Sequence, residues 1–275
     1  MKKLLIALLL AVLFSGTAMG RVITGIHAHH NMSPKEFKVS TLPVMRDGGW
    51  EILKNNHTIE YECVYFDSLS EMLMALHAGK IDEIAVPWPI GEYVANTDAG
   101  TEVCGVIHSR PWHLALGFMN NDEGRRLLAV FNEALASMKS NGRLNLITAE
   151  YLGQPGKTMP QPARFVNFPG AETVKVAVTG DFPPLDIIAA DGTPIGFNTA
   201  VLAELGRRAK VNIELVSMTT GARTSALTSG RVDIVFWYQV WQRVEKQPDV
   251  PDGVLLSEPY YEWDTVLHLQ RASGR

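Results

Sequence analysis

Ala75-Leu76-His77-Ala78-Gly79-Lys80-Ile81-Asp82 and Ala226-Leu227-Thr228-Ser229-Gly230-Arg231-Val232-Asp233 share the pattern A-L-x-[AS]-G-[KR]-[IV]-D. A helix runs out, glycine takes the left-handed conformation that stops it, and a β-branched residue opens a strand. Its occurrence twice implies two copies of one plan. Working outward, the first copy predicts strands at 38–44, 60–66 and 81–86 with helices at 49–55 and 69–78. The second predicts strands at 174–178, 212–216 and 232–236 with helices at 199–210 and 221–228. Leu69, Leu73 and Leu76 fall on one helical face, as do Val201, Leu205 and Ala209, the 3.6-residue period of a packed helix. Ser68 and Asn198 are expected N-caps.

Short strands alternating with helices imply parallel sheets with helices on their faces. The expected fold class is therefore α/β, two lobes each built on a βαβαβ sheet with flanking helices. Two separate sheets are expected, and a single continuous sheet would overturn that expectation of two half-molecules enclosing a ligand. Between the copies the pattern gives a strand at 113–118, a helix from about Glu123 to Asn141 capped by Asn121 or Asp122, and a helix at 144–152. Residues 154–172, with Pro155, Pro160, Pro162 and Pro169, read as a surface linker.

The chain has 275 residues, 46% hydrophobic and 20% charged, which excludes a disordered, collagen-like or coiled-coil chain. Lys2-Lys3, an apolar run from Leu4 to Phe14 and the small-residue ending Ala18-Met19-Gly20 predict a cleaved secretory signal peptide over 1–20 and hence a periplasmic protein. A net charge of −4 with no basic run argues against nucleic acid or an anionic membrane as partner. In an oxidising compartment Cys63 and Cys104 could pair or remain two small apolar residues, and spacing leaves both open. His27, His29 and His30 form an H-x-H-H run; without further ligands at predictable spacing it reads as a polar strand near the hinge rather than a metal site. No motif for a catalytic nucleophile, metal or phosphate-binding loop is present, so neither cofactor nor enzymatic activity is expected.

Val174–Leu185 (with Thr179, Asp181, Phe182, Pro183 and Pro184), Asp191–Asn198, Leu227–Asp233, Arg243 and Ser257-Glu258-Pro259-Tyr260-Tyr261 together resemble the larger lobe of family 3 extracellular solute-binding proteins, the amino-acid receptors of ABC importers. Residues from about Phe37 to Gly153 resemble the rest of that family more loosely. The order is reversed, so the chain resembles a circular permutant. The resemblance implies a small lobe over 21–112 with an N-terminal hinge segment, a strand and helices over 113–153 packing on the large lobe, a linker over 154–172 and a large lobe over 173–275. It also implies a monomer that captures an amino acid or related small carboxylate between the lobes and presents it to a membrane permease. Arg243 matches the residue that grips the ligand carboxylate, for which a planar guanidinium suits. Phe182, Thr179 and Asp181 match the first cleft loop, while Phe236, Tyr238 and Trp88 are candidate aromatic contacts. The small lobe departs from the family at Leu42-Pro43-Val44, where a Gly-Ser/Thr-Thr loop is expected, and at Pro87, where an ammonium-binding carboxylate is expected. A carboxylate lacking an amino group, or an aromatic ligand, fits these changes. A sensing or interaction protein that kept the fold, and an exported enzyme, are the rival readings.

Overall fold

A computed structural model describes residues 20–27, 59–158, 161–189, 191–241 and 250–272. The strands are β1 (Gly20–His27), β2 (Ile59–Phe66), β3 (Glu83–Pro87), β4 (Thr101–Met119), β5 (Thr173–Val178), β6 (Asp181–Phe182), β7 (Asp186–Ile188), β8 (Pro194–Ile195), β9 (Asn212–Ser217), β10 (Ile234–Trp241), β11 (Val254–Leu256) and β12 (Tyr261–Arg271). The helices are α1 (Leu69–His77), α2 (Trp88–Thr97), α3 (Asp122–Ser140), α4 (Arg143–Leu152), α5 (Phe197–Ala209) and α6 (Thr220–Thr228).

The two repeat copies close with the same hydrogen bonds. Lys80 N–H donates to Ala75 C=O and Gly79 N–H to Leu76 C=O; Arg231 N–H donates to Ala226 C=O and Gly230 N–H to Leu227 C=O. These are paired Schellman bonds, and they need the left-handed backbone that Gly79 (φ 68°) and Gly230 (φ 73°) supply. The repeat aspartates also match. Asp82 accepts from Ile23 N–H at 2.8 Å through Oδ2, and Asp233 accepts from Lys175 N–H at 2.8 Å in the same way. Each carboxylate thus ties the start of its strand to the neighbouring parallel strand, β1 in one copy and β5 in the other.

The expectation of two separate sheets is corrected. The strands form one path, β2-β1-β3-β12-β4-β10-β5-β9, with β11 pairing β4. The reason is the length of β4, whose 19 residues serve both lobes. Its residues 101–108 pair with β12 beside β3, and residues 112–119 pair with β10 and β11. A register shift between Trp263 and Thr265 marks the crossing.

The lobes remain distinct because their parallel strands oppose each other. β12 is antiparallel to β3, β4 to β12 and β10 to β4, while β1, β2 and β3 are mutually parallel, as are β10, β5 and β9. Pro87, at the carboxyl end of β3, pairs with Val266, which pairs with Ile107; Trp241, at the carboxyl end of β10, pairs with Trp112. Both sets of carboxyl ends therefore face the same short interval of β4, between residues 107 and 112.

The first described strand of the small lobe is Gly20–His27, and it lies between β2 and β3. The expected elements at 38–44 and 49–55 fall outside the described residues. His27 ends β1 at the cleft side; His29 and His30 lie outside the described residues. Cys63 on β2 and Cys104 on β4 are separated by β1, β3 and β12. Four strand spacings, about 19 Å, exceed the roughly 7 Å a disulfide can bridge, and Cys104 is a free, exposed thiol.

The large lobe packs α3 and α4 on α5, burying Leu127, Phe131, Leu135 and Met138 of α3. Ser68 caps α1 by accepting from Glu71 N–H at 3.1 Å, and Asn121 caps α3 by accepting from Gly124 N–H at 2.8 Å. Asn198 does not cap α5. Gly196 takes that place at φ 128°, and Asn198 lies within the first turn, buried, accepting from Tyr260 Oη at 3.0 Å. The proline-rich connection is tethered on both sides. Asn96 Nδ2 on α2 donates to Pro155 C=O, and Asn212, at the start of β9, bonds to Phe168 in both directions.

Candidate functional site

The facing carboxyl ends of the strands define the candidate site, as open α/β sheets do generally. On the large lobe, β5 ends at Val178 and turns through Gly180 (φ 71°), where a Cβ would meet Ile188 Cγ1 at 2.5 Å. Asp181 follows, half-buried, and its Oδ1 accepts from Ser70 Oγ at 2.8 Å. Ser70 belongs to the first turn of α1 in the other lobe, so this bond spans the cleft. The resemblance to the family's first cleft loop pointed to Asp181 but not to its partner; Ser70 is simply the second residue of a capped helix, and a serine there carries no sequence signal.

Beneath this loop is a buried polar cluster. Asp186 Oδ2 accepts from Thr179 Oγ1 at 3.1 Å and from Trp237 Nε1 at 3.0 Å. Burial pushes the Asp186 carboxyl up, partly offset by nearby Asn198, by hydrogen bonds from Trp237 and Thr179 and by the Arg223 charge. Arg223 Nη1 donates to the carbonyls of Phe236 and Trp237 at 3.1 and 2.9 Å, and its guanidinium lies 4.2 Å from the Trp237 ring centroid. These carbonyls are turned toward Arg223 by a bulge: β10 slips register between Val235 and Tyr238, and Trp237 has φ 66°. Asp186 and Arg223 were not singled out by sequence reasoning. An Asp two residues past the double proline and an Arg within an otherwise small-residue helix were the available signals, and both read equally well as surface charges.

The predicted contacts divide. Asp181 reaches the cleft. Thr179 is half-buried with its hydroxyl engaged by Asp186. Phe182 is 5% exposed and stacks on Trp237, centroids 5.7 Å apart. Phe236 and Tyr238 are corrected from cleft to core. Phe236 is fully buried against Tyr260. Tyr238, 1% exposed, donates or accepts at Thr224 Oγ1 and lies where a Cβ on Gly117 would meet its ring at 2.2 Å. The expectation rested on their place at and just past the strand's end, whereas the strand continues through both to Trp241. Trp88 opens α2 directly after Pro87, at the carboxyl end of β3, and lines a cavity along β12. Arg243 lies outside the described residues. Among the described residues no group of three or more His, Cys, Asp or Glu side chains could hold a metal ion, and no helix is long and apolar enough to cross a membrane.

The small lobe's buried polar group sits at the opposite end of its strands. Glu83 accepts from Thr24 Oγ1 at 2.8 Å and pairs with His268 Nδ1 at 2.9 Å, while Cys104 Sγ lies 3.7 Å away. Burial raises the Glu83 carboxyl, but His268, Thr24 and Cys104 together bring it below its ordinary value. Burial and the Glu83 charge push the Cys104 thiol up to about 11, which makes it a poor nucleophile.

Residues 174–275 match the family of bacterial extracellular solute-binding proteins, family 3. Among solved structures, similarity is found to a ligand-binding component of an ABC-type import system from Staphylococcus aureus, at 11% identity and TM-score 0.46, over 92% of this chain and 66% of that one. The periplasmic aliphatic sulphonate binding protein SsuA from Escherichia coli is similar at 15% identity and TM-score 0.43, over 92% and 65%. A putative L-cystine ABC transporter from Listeria monocytogenes is similar at 10% identity and TM-score 0.43, over 92% and 84%. The chain spans just under two thirds of the first two. At these scores the likeness says nothing of what this chain binds. No curated protein matches the chain.

Proposed function

From the premise that residues 174–275 form a family 3 solute-binding segment, we propose that the protein captures an amino acid or related small carboxylate between its lobes and delivers it to an ABC-type permease. The matched family is one of binding proteins rather than enzymes. The observation that carries the reading is the opposition of the two sets of strand carboxyl ends, bridged by Ser70 and Asp181. Closure moves one lobe against the other about β4 and β12.

In this reading Arg243 grips the ligand carboxylate, and Asp181 exchanges Ser70 for a ligand donor. Thr179 and the buried Phe182 shape the loop above the Asp186 cluster. Residues 1–20 direct export, and the protein works as a periplasmic monomer. The reversed order is a circular permutation. Thr24 and Gln270 both pair with Glu83, so β1 begins and β12 ends on the same side of the small-lobe sheet, as a rejoined chain requires.

Thermal shift against amino acids and small carboxylates tests this. A stabilising ligand whose effect is lost in Arg243→Ala supports it; a ligand whose effect survives that substitution removes Arg243 from the site. A sensing or interaction role is the second reading, favoured by the burial of Phe236 and Tyr238, which leaves the large lobe few aromatic surfaces for a ligand. Co-purification with a sensor instead of a permease would select it.

A further inference from the structure

We propose that the turn after α4 is a brace between the lobes, a pivot that keeps the ligand-free protein near its closed arrangement. It goes beyond the capture reading and takes from it only that the lobes move. Two strands, β4 and β12, already join the lobes. A further connection comes from the chain between α4 and β5. α4 belongs to the large lobe, where it packs on α3 and α5. Its bond from Gly153 N–H to Ala149 C=O, 3.1 Å, ends two residues before Pro155, so the helix carries the following turn with little slack. Gln154-Pro155-Gly156-Lys157 closes on a bond from Lys157 N–H to Gln154 C=O at 3.2 Å, with Gly156 at φ 77°. Proline second and a left-handed glycine third are what a type II turn requires.

This turn lands on the small lobe. Asn96 Nδ2, in the last turn of α2, donates to Pro155 C=O at 2.9 Å. A Cβ on Gly156 would meet Tyr93 O at 2.8 Å and Asn96 Cβ at 2.9 Å, so the backbone lies directly on the helix. Pro155 is buried, although it belongs to a connection between elements. Past the turn, Tyr151 Oη of α4 donates to Gln161 C=O at 2.8 Å, which returns the chain to the large lobe. The end of α2 is fixed in turn, because Asp98 Oδ2 lies 2.7 Å from His77 Nε2 at the end of α1. The brace therefore bears on both described helices of the small lobe.

Position sets its effect. α2 starts at the cleft with Trp88, and Asn96 lies about 12 Å further along the helix axis, next to where the chain enters β4. An attachment there stands apart from the strand crossing. A wide rotation about β4 and β12 must give up the Asn96 bond and the Gly156 contact, so the brace limits opening. Ser70 and Asp181 hold the lobes at the cleft itself, where a ligand replaces them. The brace offers nothing for a ligand to replace; it persists through closure and fixes the point about which the lobes turn.

Spin labels at Met74 on α1 and Glu133 on α3, both exposed, read the interlobe distance in the full ligand-free chain with Cys63 and Cys104 changed to serine. Gly156→Val leaves no room for the turn on α2, and Asn96→Asp sets a carboxylate against the Pro155 carbonyl. Each should lengthen and broaden the distance distribution, Gly156→Val the more, and speed trypsin cleavage after the exposed Lys157 several-fold. A distribution unchanged in Asn96→Asp would overturn the proposal, even with faster cleavage; that variant decides should Gly156→Val fail to fold. Where the brace fails this way, a ligand that still shortens the distance in the unsubstituted background leaves the capture reading standing.

Discussion

The small and large lobes share one frame and place their buried polar groups at opposite ends of it. In each, a Schellman glycine stops the repeat helix and an aspartate fastens the next strand to its parallel neighbour. In the small lobe the buried cluster of Glu83, His268 and Thr24 sits where β3 begins, at the end remote from the cleft. In the large lobe the cluster of Asp186, Arg223 and Trp237 sits where β10 leaves its regular register, directly under the cleft loop. The polar group at a strand's start ties strands of the small-lobe sheet together, whereas the one on the β10 bulge fixes the loop at the cleft.

The largest expected effect comes from the large-lobe cluster. Arg223→Met strips the charge facing Asp186 and the donor to two carbonyls, and should cost about 3–5 kcal/mol in urea unfolding, the scale of a broken buried pair. A cost under about 1 kcal/mol would show that the cluster does not organise β10.

Asp82→Ala and Asp233→Ala sharpen the equivalence of the frames. Each removes one charge-assisted bond to a strand N–H and should cost a similar amount, about 1–2 kcal/mol. A cost confined to one of them would break the proposed symmetry.

The clusters should also respond to pH with opposite sign. Glu83 titrates below its unfolded value, so its stabilisation is present above the ordinary carboxylate range and is lost as pH falls through the folded value. Asp186 titrates above its unfolded value, so its contribution is fully present at low pH and is lost as pH rises through the folded value. Stability profiles of Glu83→Gln and Asp186→Asn should flatten the acid and the higher-pH limb respectively; both flattening the same limb would contradict the assignment.

The smallest effect is expected from Ser70→Ala. It removes one exposed interlobe hydrogen bond, worth about 0.5–1.5 kcal/mol, and should widen the ligand-free particle in solution scattering while leaving urea unfolding nearly unchanged. A large loss of stability would make Ser70 a structural residue.

The frame was legible because its signals are local. Gly79 and Gly230, the β-branched strand openings, the Ser68 cap and the α3 stripe each state their conformation within a few residues. The strand at Gly20–His27 was not expected, because it adjoins the presumed leader and Arg21, Thr24 and Gly25 interrupt its apolar residues. The joined sheet was missed because nothing in β4's sequence says that one strand serves two lobes. The site was less legible than the fold. Asp181 was found through its motif, but Ser70, Asp186 and Arg223 acquire meaning only from partners 111, 51 and 14 positions away. Phe236 and Tyr238 were expected at the cleft from their place at and just past the end of a strand at 232–236, but the strand runs on to Trp241 and carries both into the core.

Capture between moving lobes is tested most directly by a distance across the cleft. Spin labels at Met74 on α1 and Leu146 on α4, both exposed, report it in a chain with Cys63 and Cys104 changed to serine. Adding an amino acid or small carboxylate that stabilises the protein should shift the pair to one shorter, narrower distance, and Arg243→Ala should prevent the shift. A stabilising ligand that leaves the distance distribution unchanged would contradict the account.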